Sequence, residues 1–263
     1  IAASIGSIGD AYDNALAGIA LHACGDDPAA RRIADGLLAA AESDRSGVTG
    51  RLRNAYRAGP VTERPVPPMG WWSDQDRRWE EDTYQVGSAT GNMAWAALAL
   101  LTLADATHDR RYRDGAAKIA KWVIATAYAA QPPAGFDGGL YGYDDMPVRL
   151  TWKSTEHNID MAAVFDWLAR LDPRMDWASN ARISRDFVAS QWEAANGRFC
   201  IGTLPDGQSP NRVNQGLDAQ LWPLLLSHPL PEWRNSIHFV ARAFGVKGGF
   251  DFNDDRDGVW LEG

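Results

Sequence analysis

The chain has 263 residues, which suits one large domain or at most two, and its 45% of hydrophobic residues can build a sizeable core. Its formal net charge of −8 and the lack of any run of Lys and Arg exclude a nucleic-acid partner. No apolar run reaches the roughly 18 to 20 residues that cross a bilayer, so insertion into a membrane is not expected.

The two ends of the sequence suggest that it has been trimmed. It begins with Ile-Ala-Ala-Ser-Ile-Gly, without Met and without the charged and apolar regions of a signal peptide, and it stops abruptly after Trp-Leu-Glu-Gly. If a signal peptide has been removed, we expect an extracellular or periplasmic location. Two cysteines, Cys24 and Cys200, are too few to indicate the compartment.

Apolar periodicity predicts two pairs of helices in the first half of the chain. Residues 12–23 are apolar on all sides, which indicates a buried helix, and residues 28–42 have one apolar face, which indicates an amphipathic helix. A long loop follows at 43–87. The same pair then recurs as a buried helix at 92–106 and an amphipathic helix at 110–129.

Two further pairs are predicted in the second half. Residues 155–170 form a buried helix, for which Ser154 and Thr155 are good N-caps, and residues 174–194 form its amphipathic partner. A fourth pair occupies residues from about 217 to 245.

The order of buried helix, short turn, amphipathic helix and long loop predicts a ring of αα-hairpins, with the buried helices inside. We therefore predict a single all-α domain over residues 1–263 in which every long loop lies at one end, called here the loop end, where the inner helices begin. The glycines between 135 and 142 fit no phosphate-binding pattern and indicate a flexible loop. Cys24 would lie at the short-turn end and Cys200 at the loop end, too far apart for a disulfide.

This hairpin repeat, with acidic and aromatic residues at the starts of the inner helices and no metal motif, resembles the six-hairpin glycosidase superfamily of glycoside hydrolases and polysaccharide lyases. The resemblance covers essentially the whole chain, in which four hairpins are present and Glu262 stands where a fifth would open. It implies an α/α toroid, of which these hairpins are part of a six-hairpin barrel. It also implies a poly- or oligosaccharide substrate and catalysis by paired carboxylates without a cofactor.

Glycoside hydrolysis needs one protonated and one ionised carboxyl group. Glu156 is the leading candidate, because burial beside Trp152 would raise its pKa by more than the helix terminus lowers it. Glu156 can instead cap the first helical turn or pair with Lys153. Asp13 is the first choice of partner, since in a ring of six hairpins it would face Glu156, although it too can be a simple cap. Glu262 is the second choice.

The loop end also gathers polar and aromatic side chains, which suit the hydroxyls and the C–H faces of sugar rings. We predict that the substrate-binding residues include Trp71, Trp72, Asp82, Tyr84, Gln85, Asn92, Trp152, Lys153, His157, Asn158, Asp218, Gln220 and Trp260. The tryptophans of the outer helices are expected to pack in the core instead; they are Trp122, Trp177, Trp192 and Trp233.

A polysaccharide lyase is the alternative enzyme. Asn158 would then neutralise a uronate carboxylate, His157 would remove the α-proton, and Arg51, Arg53 and Lys153 would bind the anionic sugar. His157 can instead be a neutral histidine bonded to a loop carbonyl, and the arginines can brace loops through ion pairs. A third interpretation is a non-catalytic glycan-binding barrel, whose acidic residues all serve as caps and ion-pair partners.

The acidic stretch near the end of the sequence matches the start of a calcium loop, with Asn253, Asp255 and Asp257 at positions 1, 3 and 5 before Gly258. Position 12 falls beyond the chain, so we expect a solvated acidic turn. The five histidines are scattered and show no zinc-binding spacing. No metal and no other cofactor is therefore expected.

Overall fold

The computed structural model describes residues 8–57, 71–73, 75–213 and 215–257. They form two compact units: unit 1 comprises Ile1–Tyr128 with Gly138–Leu150, and unit 2 comprises Ala129–Asp137 with Thr151–Gly263. Eight α-helices account for most of the regular structure in the described part of the chain, so the predicted all-α class is confirmed.

Unit 1 contains two helical hairpins, α1 (Ala11–Ala23) with α2 (Asp27–Glu42) and α3 (Thr90–Thr107) with α4 (Arg110–Ala127). Each of these helices begins and ends within about two residues of the prediction. The helix α1 packs against α2 and α3, and α3 packs against α4. The Asp26 carboxylate caps α2 by accepting a hydrogen bond from the Ala29 N–H at 3.1 Å.

The two inner helices of unit 1 differ in burial. Most residues of α3 from Thr90 to Leu103 are buried, including Met93 and Leu100 at 0% exposure. On α1, by contrast, Leu16 is 36% exposed, and Ala17 and Ala20 are also exposed. The prediction of a helix packed on both faces is therefore right for α3 and wrong for α1, because within unit 1 the helices α2 and α3 cover only one side of α1.

The long loops of unit 1 are paired into short antiparallel strands rather than left irregular. The pairs are β1 (Ile8–Asp10) with β2 (Ala55–Arg57), β3 (Trp71–Ser73) with β4 (Arg78–Glu80), and β5 (Ser88–Ala89) with β8 (Gly139–Tyr141), which also pairs with β9 (Val148–Leu150).

The glycines after α4 are required by close strand packing, so the prediction of a flexible loop there is wrong. Gly139 has a φ of +95°, and a Cβ atom at this position would lie 2.2 Å from the Ser88 carbonyl oxygen. A residue with a side chain would push β5 and β8 apart.

The chain passes into unit 2 through β6 (Tyr128–Ala129). Unit 2 continues with β7 (Gly135–Phe136), α5 (Thr155–Leu171), α6 (Trp177–Ser190), β10 (Trp192–Glu193), β11 (Arg198–Phe199), α7 (Leu217–Leu221), α8 (Asn235–Ala243), β12 (Gly245–Val246) and β13 (Gly249–Phe250). The pairs β10–β11 and β12–β13 are antiparallel hairpins, each placed directly after an outer helix. The fourth inner helix has only five residues, because Pro223 lacks the N–H that would continue α7 and the chain proceeds as a 3₁₀ turn at Trp222–Leu225.

Aromatic rings form the core of unit 2. The Phe165 ring lies 5.2 Å from the Phe136 ring and 6.1 Å from the Trp177 ring, between centroids. Trp233 packs edge-on against Phe199 at 5.2 Å. The expected packing role of the outer-helix tryptophans is confirmed where they are buried, at Trp122, Trp177 and Trp233.

Buried amide side chains connect the loops of unit 2 to its inner helices. The Asn158 amide exchanges two 2.9 Å hydrogen bonds with the backbone N–H and C=O of Phe136, and it donates a third to the Ser154 carbonyl at 2.8 Å. The Gln220 amide binds the backbone of Phe199 in the same way, through two bonds of 2.9 Å. Each amide therefore fixes a loop strand to the first turn of an inner helix.

Two expectations concern the whole chain. Cys24 and Cys200 are both free thiols, so the predicted absence of a disulfide is confirmed. Among the described helices, none combines the length and the apolar character that crossing a bilayer requires.

Replacement of Asn158 by Ala tests the amide connection. It leaves the buried N–H and C=O of Phe136 without these partners, so we expect the free energy of unfolding to fall by about 2–4 kcal/mol, measured by urea denaturation. Asn196→Ala is the matched control, because Asn196 is exposed and donates only to the Glu193 carboxylate at 3.3 Å. Equal losses in the two variants would show that the amide does not connect the loop to the helix.

Candidate active site

Asn54 joins the starts of both inner helices of unit 1. Its carbonyl oxygen accepts a hydrogen bond from the Ala11 N–H at 2.8 Å, at the start of α1. Its side-chain Oδ1 accepts from the Ala89 N–H at 2.7 Å and from the Asn92 amide at 2.9 Å, at the start of α3. These bonds confirm, for unit 1, that α1 and α3 begin at the same end, where the long loop arrives.

The same residue holds the turn at residues 82–87. The Asn54 amide donates to the Tyr84 carbonyl at 2.8 Å, and its N–H donates to the Gly87 carbonyl at 2.9 Å. Within the turn, the Asp82 carboxylate accepts from the Gln85 N–H at 2.6 Å. The predicted site residues Asp82, Tyr84 and Gln85 are thus brought to the starts of α1 and α3, beside Asn92.

Three carboxylates meet at the start of α1. Asp10 is its N-cap residue, but its side chain makes no capping hydrogen bond, and Asp13 lies one turn further along. Burial raises the pKa of Asp10 above its ordinary value, and the charges of Asp13 and Asp82 raise it further. Asp10 was not among the predicted catalytic residues. The sequence places it just before a helix, but it shows neither that the carboxyl is half-buried nor that it makes no capping hydrogen bond.

Tyr84 completes this group, called here the Asp10 cluster, which consists of Asp10, Asp13, Asp82 and Tyr84. Burial of the phenol raises the pKa of Tyr84, a hydrogen bond from the Asn92 side chain opposes that effect, and the charges of the three carboxylates raise the pKa further. The hydroxyl therefore stays protonated at neutral pH and can donate a hydrogen bond. The cluster combines one carboxyl of raised pKa with ionisable neighbours, an arrangement that suits acid–base chemistry.

The two predicted substrate-binding arginines are engaged within unit 1. Arg53 is fully buried and binds both oxygens of Asp44, at 2.6 and 2.8 Å, as well as Asp144 and the Val86 carbonyl. Arg51 is 7% exposed, donates to the Ser88 hydroxyl at 3.0 Å and lies 3.6 Å from Asp144. These contacts favour the loop-bracing alternative over binding of an anionic sugar.

In unit 2, the start of α5 carries the residues that were predicted around Glu156. Ser154 is the N-cap and accepts from the His157 N–H at 3.3 Å, as expected for a hydroxyl cap. Glu156 is half-buried in the first turn. The rings of Trp152 and His157 lie 5.5 Å apart between centroids.

His157 has an unusual environment. Its Nδ1 atom is buried and has no hydrogen-bond partner among the described residues. Burial lowers the pKa of His157 to about 4, so the imidazole is neutral at neutral pH. Within the described ranges, no loop carbonyl accepts a hydrogen bond from Nδ1.

Lys153 is 1% exposed, and its ammonium group donates to three carbonyl oxygens, those of Gln131 at 2.9 Å, Pro133 at 2.6 Å and Gly207 at 2.9 Å. These three bonds use the three donors of the ammonium group and tie together the loops that surround the start of α5. The Lys153 side chain therefore stabilises these loops, and its ammonium group has no N–H left to donate to a substrate.

The remaining predicted residues fall into two groups. Asn158 and Gln220 serve as the amide connections described above, and Asp218, in the first turn of α7, accepts from the Ala219 N–H at 2.5 Å. Trp71 and Trp72 lie in β3, while Trp260 and Glu262 lie outside the described residues.

The acidic turn near the end of unit 2 gathers three carboxylates. The oxygens of Asp251, Asp255 and Asp257 lie within 4.8 Å of one another, and Asp251 is fully buried. Oxygen ligands at this spacing suit a divalent cation such as Ca²⁺, and solvated acidic turns also have them. The predicted residues Asp255 and Asp257 are thus brought together, with Asp251 added from the preceding segment.

Three solved structures that share this fold are named as carbohydrate-active enzymes. The chain is similar to a GH76 α-mannanase from Bacteroides thetaiotaomicron, at a TM-score of 0.56 and 12% identity over 89% of this chain and 57% of that one. A cellobiose 2-epimerase from Spirochaeta thermophila matches at a TM-score of 0.63 and 19% identity, over 93% and 61% of the two chains. A family 8 endoglucanase from Klebsiella pneumoniae matches at 0.58 and 15%, over 86% and 69%.

These similarities show the fold. At these low sequence identities they show the fold alone, and they confirm the predicted α/α toroid of αα-hairpins. The chain spans less than two thirds of the length of the α-mannanase and of the epimerase, at 57% and 61%. No protein-family model and no curated protein matches the sequence.

The buried imidazole predicts a pH dependence of stability. Because the pKa of His157 is about 4 in the folded protein against 6.5 for an ordinary histidine, only the unfolded chain binds a proton as the pH falls from 6.5 towards 4. The contribution of His157 to stability is therefore fully present above pH 6.5 and is lost as the pH falls towards 4. His157→Phe, measured by urea denaturation across this range, should flatten the decrease.

His238→Phe is the control, since it removes one histidine from an exposed position of α8. An unchanged pH profile in His157→Phe would contradict the buried, neutral imidazole.

Proposed function

We propose that this chain forms part of a glycoside hydrolase that cleaves a glycosidic bond of a poly- or oligosaccharide, with Asp10 as the proton donor. The observation that carries the proposal is the raised pKa of Asp10, which lies half-buried beside Asp13 and Asp82 at the start of an inner helix. The fold supports the choice of substrate, because the solved structures that share it are named as enzymes of saccharides.

The Asp10 cluster offers the roles that hydrolysis requires. Asp10 in its protonated form gives a proton to the leaving glycosidic oxygen. Asp13 is exposed and forms no hydrogen bond through its carboxylate among the described residues, so it is open to a water molecule. It accepts a proton from that water as the water attacks the sugar carbon. Asp82, held by the Gln85 N–H, stabilises positive charge that develops on the sugar ring.

Glu156, at the start of α5 in unit 2, is a second and separate candidate carboxyl. Its half-buried position in the first turn of α5, near Trp152 and His157, supports a role in binding or in proton transfer. Glu262 lies outside the described residues and stays a candidate by sequence alone.

The contacts in unit 2 and unit 1 weaken the case for a polysaccharide lyase. The cations that would hold a uronate, Arg51, Arg53 and Lys153, are buried and bonded to protein oxygens. A histidine with a pKa of about 4 is also a weak base for removing an α-proton at neutral pH. The glycan-binding barrel without catalysis remains the competing proposal, and it predicts binding without turnover.

Asp10→Asn tests the hydrolase proposal against the glycan-binding barrel without catalysis. Because the folded state raises the pKa of Asp10, stability is lost as the pH rises from 3.8 through that raised value, and a neutral amide removes this loss. We expect Asp10→Asn to be more stable than the wild type at pH 7. Its release of reducing ends from a panel of neutral polysaccharides should fall at least about 10²-fold.

Asp105→Asn is the control, since it removes an exposed carboxylate from α3. Glu156→Gln in the same assay tests the second carboxyl. Wild-type turnover by Asp10→Asn would contradict its role as the proton donor, and binding of a polysaccharide with no turnover by the wild type would favour the non-catalytic barrel.

A further inference from the structure

Two tyrosines present their rings to solvent beside the Asp10 cluster. Tyr141, at the end of β8, is 41% exposed, and Tyr143, in the turn between β8 and β9, is 42% exposed. Apolar side chains of the same hairpin are also exposed, with Met146 at 72% and Val148 at 55%. These exposed side chains lie close together in sequence, on one hairpin.

Both tyrosines form hydrogen bonds with the segment that contains Asp82. The Thr83 hydroxyl donates to the Tyr141 hydroxyl at 2.5 Å, and the Tyr143 hydroxyl donates to the Glu81 carbonyl at 3.1 Å. Between them, the Gly142 N–H donates to the Thr83 carbonyl at 2.9 Å. The two hydroxyls are therefore held by the residues on either side of Asp82, while the rings stay open to solvent.

An ion-pair network fixes the turn that follows Tyr143. Arg45 binds Asp144 at 2.6 Å and Glu81 at 2.8 Å, and the buried Arg53 also binds Asp144. The guanidinium group of Arg45 thus joins the turn after Tyr143 to the segment that contains Glu81. Rings held in this way lose little conformational entropy when a ligand covers them.

We propose that the exposed ring faces of Tyr141 and Tyr143 form a sugar-binding subsite for a neutral pyranose residue next to the one whose bond is cut. This inference rests on the proposed hydrolase function. A pyranose ring has an apolar C–H face that an aromatic ring can cover, and its hydroxyls remain in water at the edge. The subsite lies next to the Asp10 cluster. Thr83 stands between Asp82 and Tyr84 in the sequence, and its hydroxyl donates a hydrogen bond to Tyr141.

The charge of the neighbouring residues selects a neutral glycan. The carboxylates of Asp10, Asp13 and Asp82 lie close enough to one another to raise the pKa of Asp10. The arginines of this region, Arg45 and Arg53, are paired with protein carboxylates. A uronate-containing chain would therefore meet repulsion without a compensating cation.

The test measures binding of hexasaccharides by calorimetry in the Asp10→Asn protein, which prevents hydrolysis. The probes are the β-1,4-linked glucose hexamer, the α-1,4-linked glucose hexamer and an α-linked mannose hexamer, each with its disaccharide. We expect Tyr141→Ala and Tyr143→Ala each to weaken binding of the best hexamer about 3- to 10-fold and to leave binding of the disaccharide unchanged.

Tyr141→Phe and Tyr143→Phe keep the ring and remove the anchoring hydroxyl, so they should weaken hexamer binding about 2-fold or less while the protein keeps its fold. Tyr128→Ala is the control, because it removes a tyrosine that is 38% exposed at the end of α4. It should leave hexamer binding unchanged.

Hexamer binding that is equal in the wild-type, Ala and Phe proteins would overturn the subsite, and the hydrolase function would still stand if Asp10→Asn has lost turnover. A change of mass in light scattering on Tyr→Ala substitution, without a change in sugar binding, would also overturn it in favour of a protein partner. Absence of hydrolysis by the wild type would overturn the proposed function alone, since tyrosine-dependent binding is measured separately.

Discussion

Buried amide side chains hold the long loops to the starts of the inner helices, and the rest of the arrangement depends on them. Loop strands and helix starts both carry backbone N–H and C=O groups that need partners when they are buried. An amide supplies a donor and an acceptor together, which is how Asn158 binds Phe136 and Gln220 binds Phe199. In unit 1, the Asn54 side chain joins the start of α3 to a turn. Its backbone carbonyl accepts from the Ala11 N–H at the start of α1.

Because amide side chains make these connections, the acidic residue at the start of α1, Asp10, is available for chemistry. The Asn54 carbonyl accepts from the Ala11 N–H, and the Asp10 carboxylate makes no capping hydrogen bond. Its proximity to Asp13 and Asp82 costs stability, because three like charges repel and Asp10 is half-buried. Such an unfavourable grouping of carboxylates is typical of functional sites, where stability is given up for chemistry.

The sequence predicts the helices well and the site only in part. Helix positions follow from apolar periodicity and from caps such as Ser154, which are local signals. The contact between Arg53 and Asp144 joins residues 91 positions apart, and no local pattern reveals it. The short strands were missed, although a glycine one or two positions before a phenylalanine recurs at Phe136, Phe199 and Phe250, each time after an outer helix. That repeat is the signal that would have placed these strands.

The central claim is that Asp10 holds its proton more tightly than an ordinary aspartic acid because it is buried beside two other carboxylates. Titration of the Asp10 carboxyl carbon by nuclear magnetic resonance measures this directly, in the wild type and in Asp13→Asn. We predict a pKa above 3.8 in the wild type and a lower pKa once Asp13 is neutral. A wild-type pKa at or below 3.8 that does not respond to Asp13→Asn would contradict the account.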